Sequence, residues 1–355
     1  MDTSAEGIYF DENNICNYCI NFENKLKKLK SRKIKIKELV DKIKKNKHYE
    51  YDCVIGLSGG VDSCFTLHKA VEIGLKPLVV HMDNGWNSEL AQNNIENLIK
   101  TLDIDLFTHV INWNEYKDMM NSFFASDVID VELLMDNAML SVNYQQASKN
   151  KIKYILAGTN VSSEGMSMPS NMNWFKYDKK NILNIINIFG NNKINTYPII
   201  GTLDLVYYIA IKRIKWISFL DFFEYNKFEA IDLLKKKYNF KPYPYKHYES
   251  IFTRFYQGYL LPKKFGIDKR ILHYSTLIMS GQISREEVLN ELKKKHAYPS
   301  DEMLNNDKEY FLRKMGWKEQ DLEDYINRPG KKHDYYKSEK IIYDLLLKVY
   351  KALKF

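Results

Sequence analysis

Asp52-Cys53-Val54-Ile55-Gly56-Leu57-Ser58-Gly59-Gly60-Val61-Asp62-Ser63 is the stretch that decides the fold. Asp52–Leu57 is a short apolar run that stops at Ser-Gly-Gly, the pattern of a buried strand ending in a turn. A helix-length segment follows at about 62–74. Gly59 and Gly60 have no Cβ, so backbone N–H groups there can approach an anion closely and take unusual dihedrals. Ser58 and Ser63 add hydroxyl donors. The helix that starts near Asp62 aims its positive end and its unpaired N–H groups into the same space. Successive amides in such a turn form an anion nest. The turn is not a Walker A loop, because no lysine lies between Tyr51 and His68, and it is not a G-x-G-x-x-G turn. It suits a phosphate chain accompanied by an acid, Asp62. An acid beside phosphates calls for a bridging cation, most simply Mg²⁺.

Working outward, three further apolar runs have strand character: Pro77–Met82, ending at Asp83-Asn84-Gly85, then Leu106–Asn112 and Lys153–Gly158. Helix-length segments at about 88–102 and 131–149 separate them. Strands alternating with helices imply a doubly wound, mostly parallel α/β sheet, and nearly continuous apolar strands imply cover on both faces. In such a sheet ligands bind outside the carboxyl ends of the strands, near the switch point. Gly158-Thr159-Asn160-Val161-Ser162-Ser163-Glu164 follows the fourth run, so this turn and the Ser58 turn are expected at the same edge. After about residue 215 the strand signal fades into helical segments punctuated by Pro242, Pro244, Pro262, Pro299 and Pro329. The expected organisation is an N-terminal segment 1–50, a nucleotide-binding domain 51–215 and a helical C-terminal domain 216–355 that takes the second substrate.

The chain has 355 residues, with hydrophobics at 45% and charges at 28%, which excludes disordered and collagen-like chains. The apolar region Tyr197–Phe223 is broken by Asp204, Lys212, Arg213, Lys215 and Asp221, so no membrane span is expected. Net charge is +8, but Lys25–Lys47 alone holds twelve basic residues against Glu38 and Asp41, so the remainder sums to −2. One basic segment, read as the solvated face of a helix over 31–47, does not make a general nucleic-acid binder. The C-terminal residues Ile342, Leu345, Leu346, Val349 and Leu353 share one helix face, expected to pack on its own domain. The N-terminus has no secretory signal, and the cysteines (Cys16, Cys19, Cys53 and Cys64) show no disulfide framework, so a reducing cytoplasm is expected. Residues 1–24 read as a short irregular module around the Cys16/Cys19 pair.

The turn resembles the pyrophosphate-binding loop of the ATP pyrophosphatases, S-G-G-x-D-S, at Ser58, Gly59, Gly60, Asp62 and Ser63. That resemblance implies cleavage of ATP between its α and β phosphates. It also implies nucleotide contacts from Gly56, Leu57, Gly158 and Thr159, with Asp62, Ser58 and Ser63 as catalytic residues. Gly158 to Glu164 looks like the G-T-x-x-x-x-E of related amide-forming members, where the acid ligates magnesium, so Asp62 and Glu164 are the expected Mg²⁺ ligands. Met82, after the second strand, stands where the superfamily holds adenine. Three stretches extend the likeness to the N-acetyl sugar amidotransferases of bacterial surface-polysaccharide and nonulosonic-acid synthesis. They are Met1-Asp2-Thr3-Ser4 through Cys19, the loop itself, and Lys246-His-Tyr-Glu through Arg270. Membership implies an acetamido group converted to acetamidino by ATP and ammonia. In the third stretch Arg254, Lys263, Lys264, Lys269 and Arg270 lie among Tyr248, Phe255, Tyr256, Tyr259 and Phe265. Such a mixture suits either a nucleotide-linked sugar or an ordinary aromatic core with exposed lysines.

No cysteine stands in a nucleophile context: residue 2 is Asp, Cys53 is in a strand and Cys64 follows the turn. The resemblance therefore implies separate glutaminase and cyclase-like partner subunits, similar to those of histidine biosynthesis. Family members usually carry a further C-x-x-C directly before the segment matching Met1-Asp2-Thr3, where this chain starts. Either Met1 is internal to a longer product or that pair is absent. Cys16 and Cys19 supply half of a tetrahedral Zn²⁺ site, no histidine precedes His48, and structural thiols are the expected state. The rival readings are a tRNA-modifying ATP pyrophosphatase, favoured by the basic helix and the cysteine pair, and a nucleotide-binding scaffold that does no chemistry. Cys53 and Cys64 have good core explanations, which speaks against a thiolase; Asp62 and Glu164 speak against a scaffold.

Overall fold

Successive side chains of a strand point to opposite faces, so a strand buried on both sides must feed two cores. In the computed structural model, which describes residues 1–33, 35–45, 50–294 and 296–352, five strands do this in one parallel sheet. They are Cys53–Gly56 (β1), Pro77–Asp83 (β2), Leu106–Val110 (β3), Tyr154–Ala157 (β4) and Lys215–Ser218 (β5), in the order β3-β2-β1-β4-β5. Val54 is in register with Leu78 and Ile155, and these three face Val142 and Ala147 of the Leu133–Lys149 helix. Ile55 is in register with Val79 and Leu156, and these face Cys64 and Leu67 of the Val61–Glu72 helix and Leu234 of the Lys227–Tyr238 helix. The strand order reverses between β1 and β4, and the turns after these two strands open the crevice there.

A third, aromatic core joins the C-terminal helices to the sheet edge. Phe252 of Ile251–Phe255, Phe311 of Asp301–Met315 and Phe124 of Trp113–Ser126 are buried, with Phe124 and Phe311 centroids 5.7 Å apart. Phe252 packs 5.6 Å from Trp86, in the loop after β2. Backbone bonds reinforce the seam: Ser88 N donates to the Glu249 carbonyl at 2.8 Å and Ile251 N to the Trp86 carbonyl at 2.8 Å.

The four expected strands and three expected helices form within a few residues of their sequence limits. The differences have physical reasons. β5 is only four residues long and begins with an exposed lysine, which leaves little apolar signal. β3 is an edge strand with exposed and half-exposed residues alternating, so it is not covered on both faces. The irregular N-terminal module ends at Cys16, and Asn17–Lys33 is helical. The expected 31–47 helix is shorter, Ile36–Lys44, because its buried face is confined to Leu39 and Ile43. Asn46 and Lys47 lie outside the described residues, as does Leu353. The Lys340–Ala352 helix leaves Ile342 50%, Leu345 61% and Val349 48% exposed, contrary to packing on its own domain. Tyr343 anchors it instead, with its ring 4.4 Å from Phe175. Among the described residues no helix is long and apolar enough to cross a membrane.

Candidate functional site

Gly60 N-caps the Val61–Glu72 helix without a side-chain cap, so the helix start is open to the crevice. The turn before it is fixed by its own hydroxyls. Ser58 N donates to Ser63 Oγ at 3.3 Å, Gly60 N to Ser58 Oγ at 3.3 Å, and Ser63 Oγ to the Gly60 carbonyl at 3.0 Å. Gly59 has φ +82°, and a Cβ there would stand 2.7 Å from the Ala91 carbonyl oxygen, so only glycine closes this turn. Gly59 itself does not line the crevice; its carbonyl accepts from Tyr243 Oη, a lining residue, at 3.0 Å.

The second turn lies directly on the first. Asn160 caps the short Val161–Glu164 helix and reaches Asp62 Oδ1 at 3.3 Å, as does Ser163 Oγ at 3.3 Å. Tyr225 Oη donates to the same carboxylate oxygen. Glu164 pairs with Lys246 Nζ at 2.6 Å. The cavity enclosed between the two turns measures about 330 Å³. It takes in Gly56, Leu57, Ser58, Gly60, Asp62 and Ser63 from the first turn, and Gly158, Thr159 and Glu164 from the second. Met82 lines it too, beside His81, whose Nδ1 lies 2.8 Å from the Leu57 carbonyl.

The electrostatics are those of a mixed-charge pocket. Burial and then the neighbouring Glu164 push the Asp62 carboxyl up from its ordinary value, against Lys246 and Lys227. Burial opposes ionisation of Glu164 as well, but Lys246, with His247 and Lys227, outweighs it and holds that carboxyl below its ordinary value. Lys227 is pushed down, chiefly by burial. Glu249 lies against the turn, since a Cβ on Gly60 would meet its Oε1 at 3.1 Å. Burial resists its ionisation too, and His247, 3.6 Å away, brings it below the ordinary value. Two lysines, amides and hydroxyls are what a polyphosphate requires. Asp62 and Glu164 are hard oxygen donors, Glu164 close enough to disfavour the charge of Asp62, and they fit a magnesium ion shared with phosphates. Among the described residues no set of three or more His, Cys, Asp or Glu side chains is poised around a metal. Cys16 and Cys19, with Sγ atoms 3.3 Å apart, supply two sulfur donors and do not by themselves complete a zinc site.

The five C-terminal cations lie elsewhere. Arg254 donates two hydrogen bonds to the Asp307 carboxylate, at 2.6 Å and 2.6 Å. Lys264 reaches Asp127 at 3.1 Å and two carbonyls, Lys269 reaches Glu132 at 3.1 Å, and Arg270 grips Asp268 at 2.7 Å. Lys263 is exposed, and none of the five lines the cavity. The cavity's cations are Lys227 and Lys246, which sequence reasoning did not select. Lys246 and Glu249 lie in the Lys246-His-Tyr-Glu stretch, so their segment was signalled, whereas nothing local marks Tyr225 or Lys227. Cys53 and Cys64 are fully buried.

Two family profiles match this chain. Residues 32–168 match NAD synthase, and residues 249–353 match the LPS biosynthesis protein WbpG-like, C-terminal domain. The chain thus joins an NAD-synthase-like ATP pyrophosphatase domain to a WbpG-like domain. The WbpG-like part begins at Glu249, the residue laid against Gly60. Among solved structures, NMN synthetase from Francisella tularensis is similar at 19% identity over 59% of this chain and 93% of that one, with a TM-score of 0.31. The NH3-dependent NAD synthetase of Campylobacter jejuni follows at 15% identity, 59% and 93% coverage and a TM-score of 0.30. A 4-thiouridine synthetase in complex with RNA and ATP is similar at 12% identity over 77% of this chain and 52% of that one, with a TM-score of 0.28. No curated protein matches.

Proposed function

We propose that this protein is an ATP-dependent amidotransferase of lipopolysaccharide or O-antigen sugar synthesis, converting an acetamido group of a nucleotide-activated sugar to acetamidino. One observation carries the reading: Glu249, Ser250 and Thr253, at the leading edge of the WbpG-like part, line the same cavity as the S-G-G-x-D-S turn, with Lys246 and His247 just before them. A second substrate held by the C-terminal part therefore meets ATP at Asp62.

The acetamido oxygen attacks the α phosphorus of ATP, and the bond to the pyrophosphate oxygen breaks. Ammonia then adds to the activated carbon, and AMP leaves with the former acetamido oxygen. The turn amides and Ser58 and Ser63 hold the departing pyrophosphate, while Lys227 and Lys246 offset its charge. Met82 borders the adenine end of the site, and Gly158 and Thr159 border the α phosphate. Asp62 and Glu164 are the residues to hold magnesium, which supplies charge neutralisation at the leaving phosphates. With Cys53 and Cys64 buried, this chain offers no glutaminase nucleophile at the cavity, and ammonia is taken from separate glutaminase and cyclase-like subunits.

The test is pyrophosphate release from Mg-ATP with ammonium, comparing di-N-acetylated nucleotide-sugars with bulk tRNA. Release that requires both sugar and ammonium supports the reading. Release with tRNA alone overturns it in favour of RNA modification, and glutamine-driven turnover by the isolated chain overturns the partner assignment.

A further inference from the structure

The cavity at the turn does not use up the carboxyl edge of the sheet. At the end of β2 the segment Asp83-Asn84-Gly85 divides it from a second cleft of about 430 Å³, and Asn84 lines both. This cleft runs from the end of β3 to the Asp301–Met315 helix, between Asp83, Val110, Trp113, Tyr310, Arg313 and Lys314. Trp113 and Tyr310 set aromatic rings along it. Lys314 Nζ stands 4.6 Å from the Trp113 ring centroid, 4.8 Å from that of Trp86 and 5.3 Å from that of Tyr310, and donates to the Gly85 carbonyl and, at 3.1 Å, to Tyr310 Oη. The Arg313 guanidinium is exposed, 5.8 Å from the Tyr310 ring. Among the described residues neither cation lies within salt-bridge distance of a carboxylate. This contrasts with Arg254, Lys264, Lys269 and Arg270, each of which is neutralised by an acid. Val110 adds an apolar side chain that is 70% exposed.

Aromatic rings beside two cations that have no carboxylate within salt-bridge distance suit a ligand that carries both a planar ring and a chain of anionic oxygens. The one acid present, Asp83, accepts from Gly85 N at 2.9 Å through Oδ1 and has a second oxygen with which to accept from hydroxyls. We infer that this cleft binds a nucleoside diphosphate, with its base on Trp113 and Tyr310, its phosphates at Arg313 and Lys314, and its ribose beside Asp83. The inference rests on the proposed function only in taking that diphosphate as the handle of the sugar. The shared residue Asn84 then marks where the sugar passes from the cleft toward Asp62.

The test is calorimetric titration of the full chain with UDP, GDP and CDP, the turn cavity being saturated with Mg and α,β-methylene ATP. One diphosphate binds at unit stoichiometry beside the analogue. Arg313→Glu weakens that binding about tenfold or more, the loss of a charge-assisted pair. Val110→Trp, also at an exposed position, weakens it by filling the mouth. Lys263→Glu, the same charge change outside both cavities, leaves it unaltered. Absence of binding by all three diphosphates, competition with the ATP analogue, or equal effects of Arg313→Glu and Lys263→Glu would each overturn the inference. The titration involves no turnover, so its result and that of the pyrophosphate assay stand or fall separately.

Discussion

Gly158 lies against the Asp62–Ser63 peptide so closely that a Cβ at 158 would stand 2.9 Å from the Asp62 carbonyl carbon and 2.9 Å from the Ser63 amide nitrogen. Backbone, not a flexible side-chain end, is what it would strike. Gly158→Ala must therefore push the two turns apart. Overpacking of this kind costs about 1–3 kcal/mol, which a urea unfolding midpoint will show. The larger effect falls on chemistry: with Glu164 displaced from Asp62, pyrophosphate release drops at least about a hundredfold, on the scale at which small misplacements act. A variant with reduced stability and unchanged kcat would separate the second turn from the reaction.

Asp62→Asn trades stability against activity. The Asp62 carboxyl is raised above its ordinary value of 3.8 by burial and by Glu164. The folded state therefore holds the proton more tightly than the unfolded chain does. That contribution to stability is fully present below the unfolded value and is lost as pH rises through the folded one. Asparagine keeps an Oδ1 for Tyr225, Asn160 and Ser163 and removes the charge. Asp62→Asn is expected to unfold at higher urea than the native chain at pH 7, with the difference shrinking toward pH 4, and to lose turnover. Equal midpoints at both pH values would show that the site stores no such cost.

What the sequence reveals depends on how local the cause is. β1 and its turn are written in twelve consecutive residues, because strand, glycines and helix start must be adjacent to hold an anion. Glu164 is legible for the same reason, through its spacing from Gly158. Lys227 and Lys246 are not, since Lys246 pairs with Glu164 across the fold and Lys227 acts on Asp62 through its charge from far along the chain, and no neighbouring residue records either relation. The reverse holds for Arg254, Lys264, Lys269 and Arg270. Locally they form a basic, aromatic stretch, but their partners Asp307, Asp127 and Glu132 lie far off in sequence, and for Arg270 the near neighbour Asp268 suffices. Amphipathicity misleads in its own way: the apolar stripe of Lys340–Ala352 is real, yet Ile342, Leu345 and Val349 stay exposed while Tyr343 packs on Phe175 and Tyr177.

Arg254 separates folding from substrate binding by experiment. Its side chain is 12% exposed and that of Asp307 is 6%. Tyr298 Oη also donates to Asp307, at 3.0 Å. Arg254→Ala leaves a buried carboxylate uncompensated and costs about 3–5 kcal/mol. Arg254→Met with Asp307→Leu removes both charges and recovers most of that loss. Under conditions where the double variant is folded, its KM for the nucleotide-sugar is expected to match that of the native chain. A KM raised tenfold in a well-folded double variant would return Arg254 to the substrate.

Cys19 reports on whether the N-terminal pair is a thiol or a metal site. Burial and the hydrogen bond with Cys16 push its thiol up to about 11, so at neutral pH the sulfur keeps its proton. The thiolate is the form that alkylates and the form that binds zinc. Iodoacetamide labelling of Cys19, followed by peptide mass analysis, should be slow at pH 7 and accelerate as pH climbs toward 11. Cys53 and Cys64 should stay unlabelled until the chain unfolds, because both are fully buried. Zinc content should be well below one per chain, since two thiols meet no further ligand set among the described residues. A labelling rate that stays near zero at high pH, together with one zinc per chain, would mean that ligands from outside this stretch complete the site.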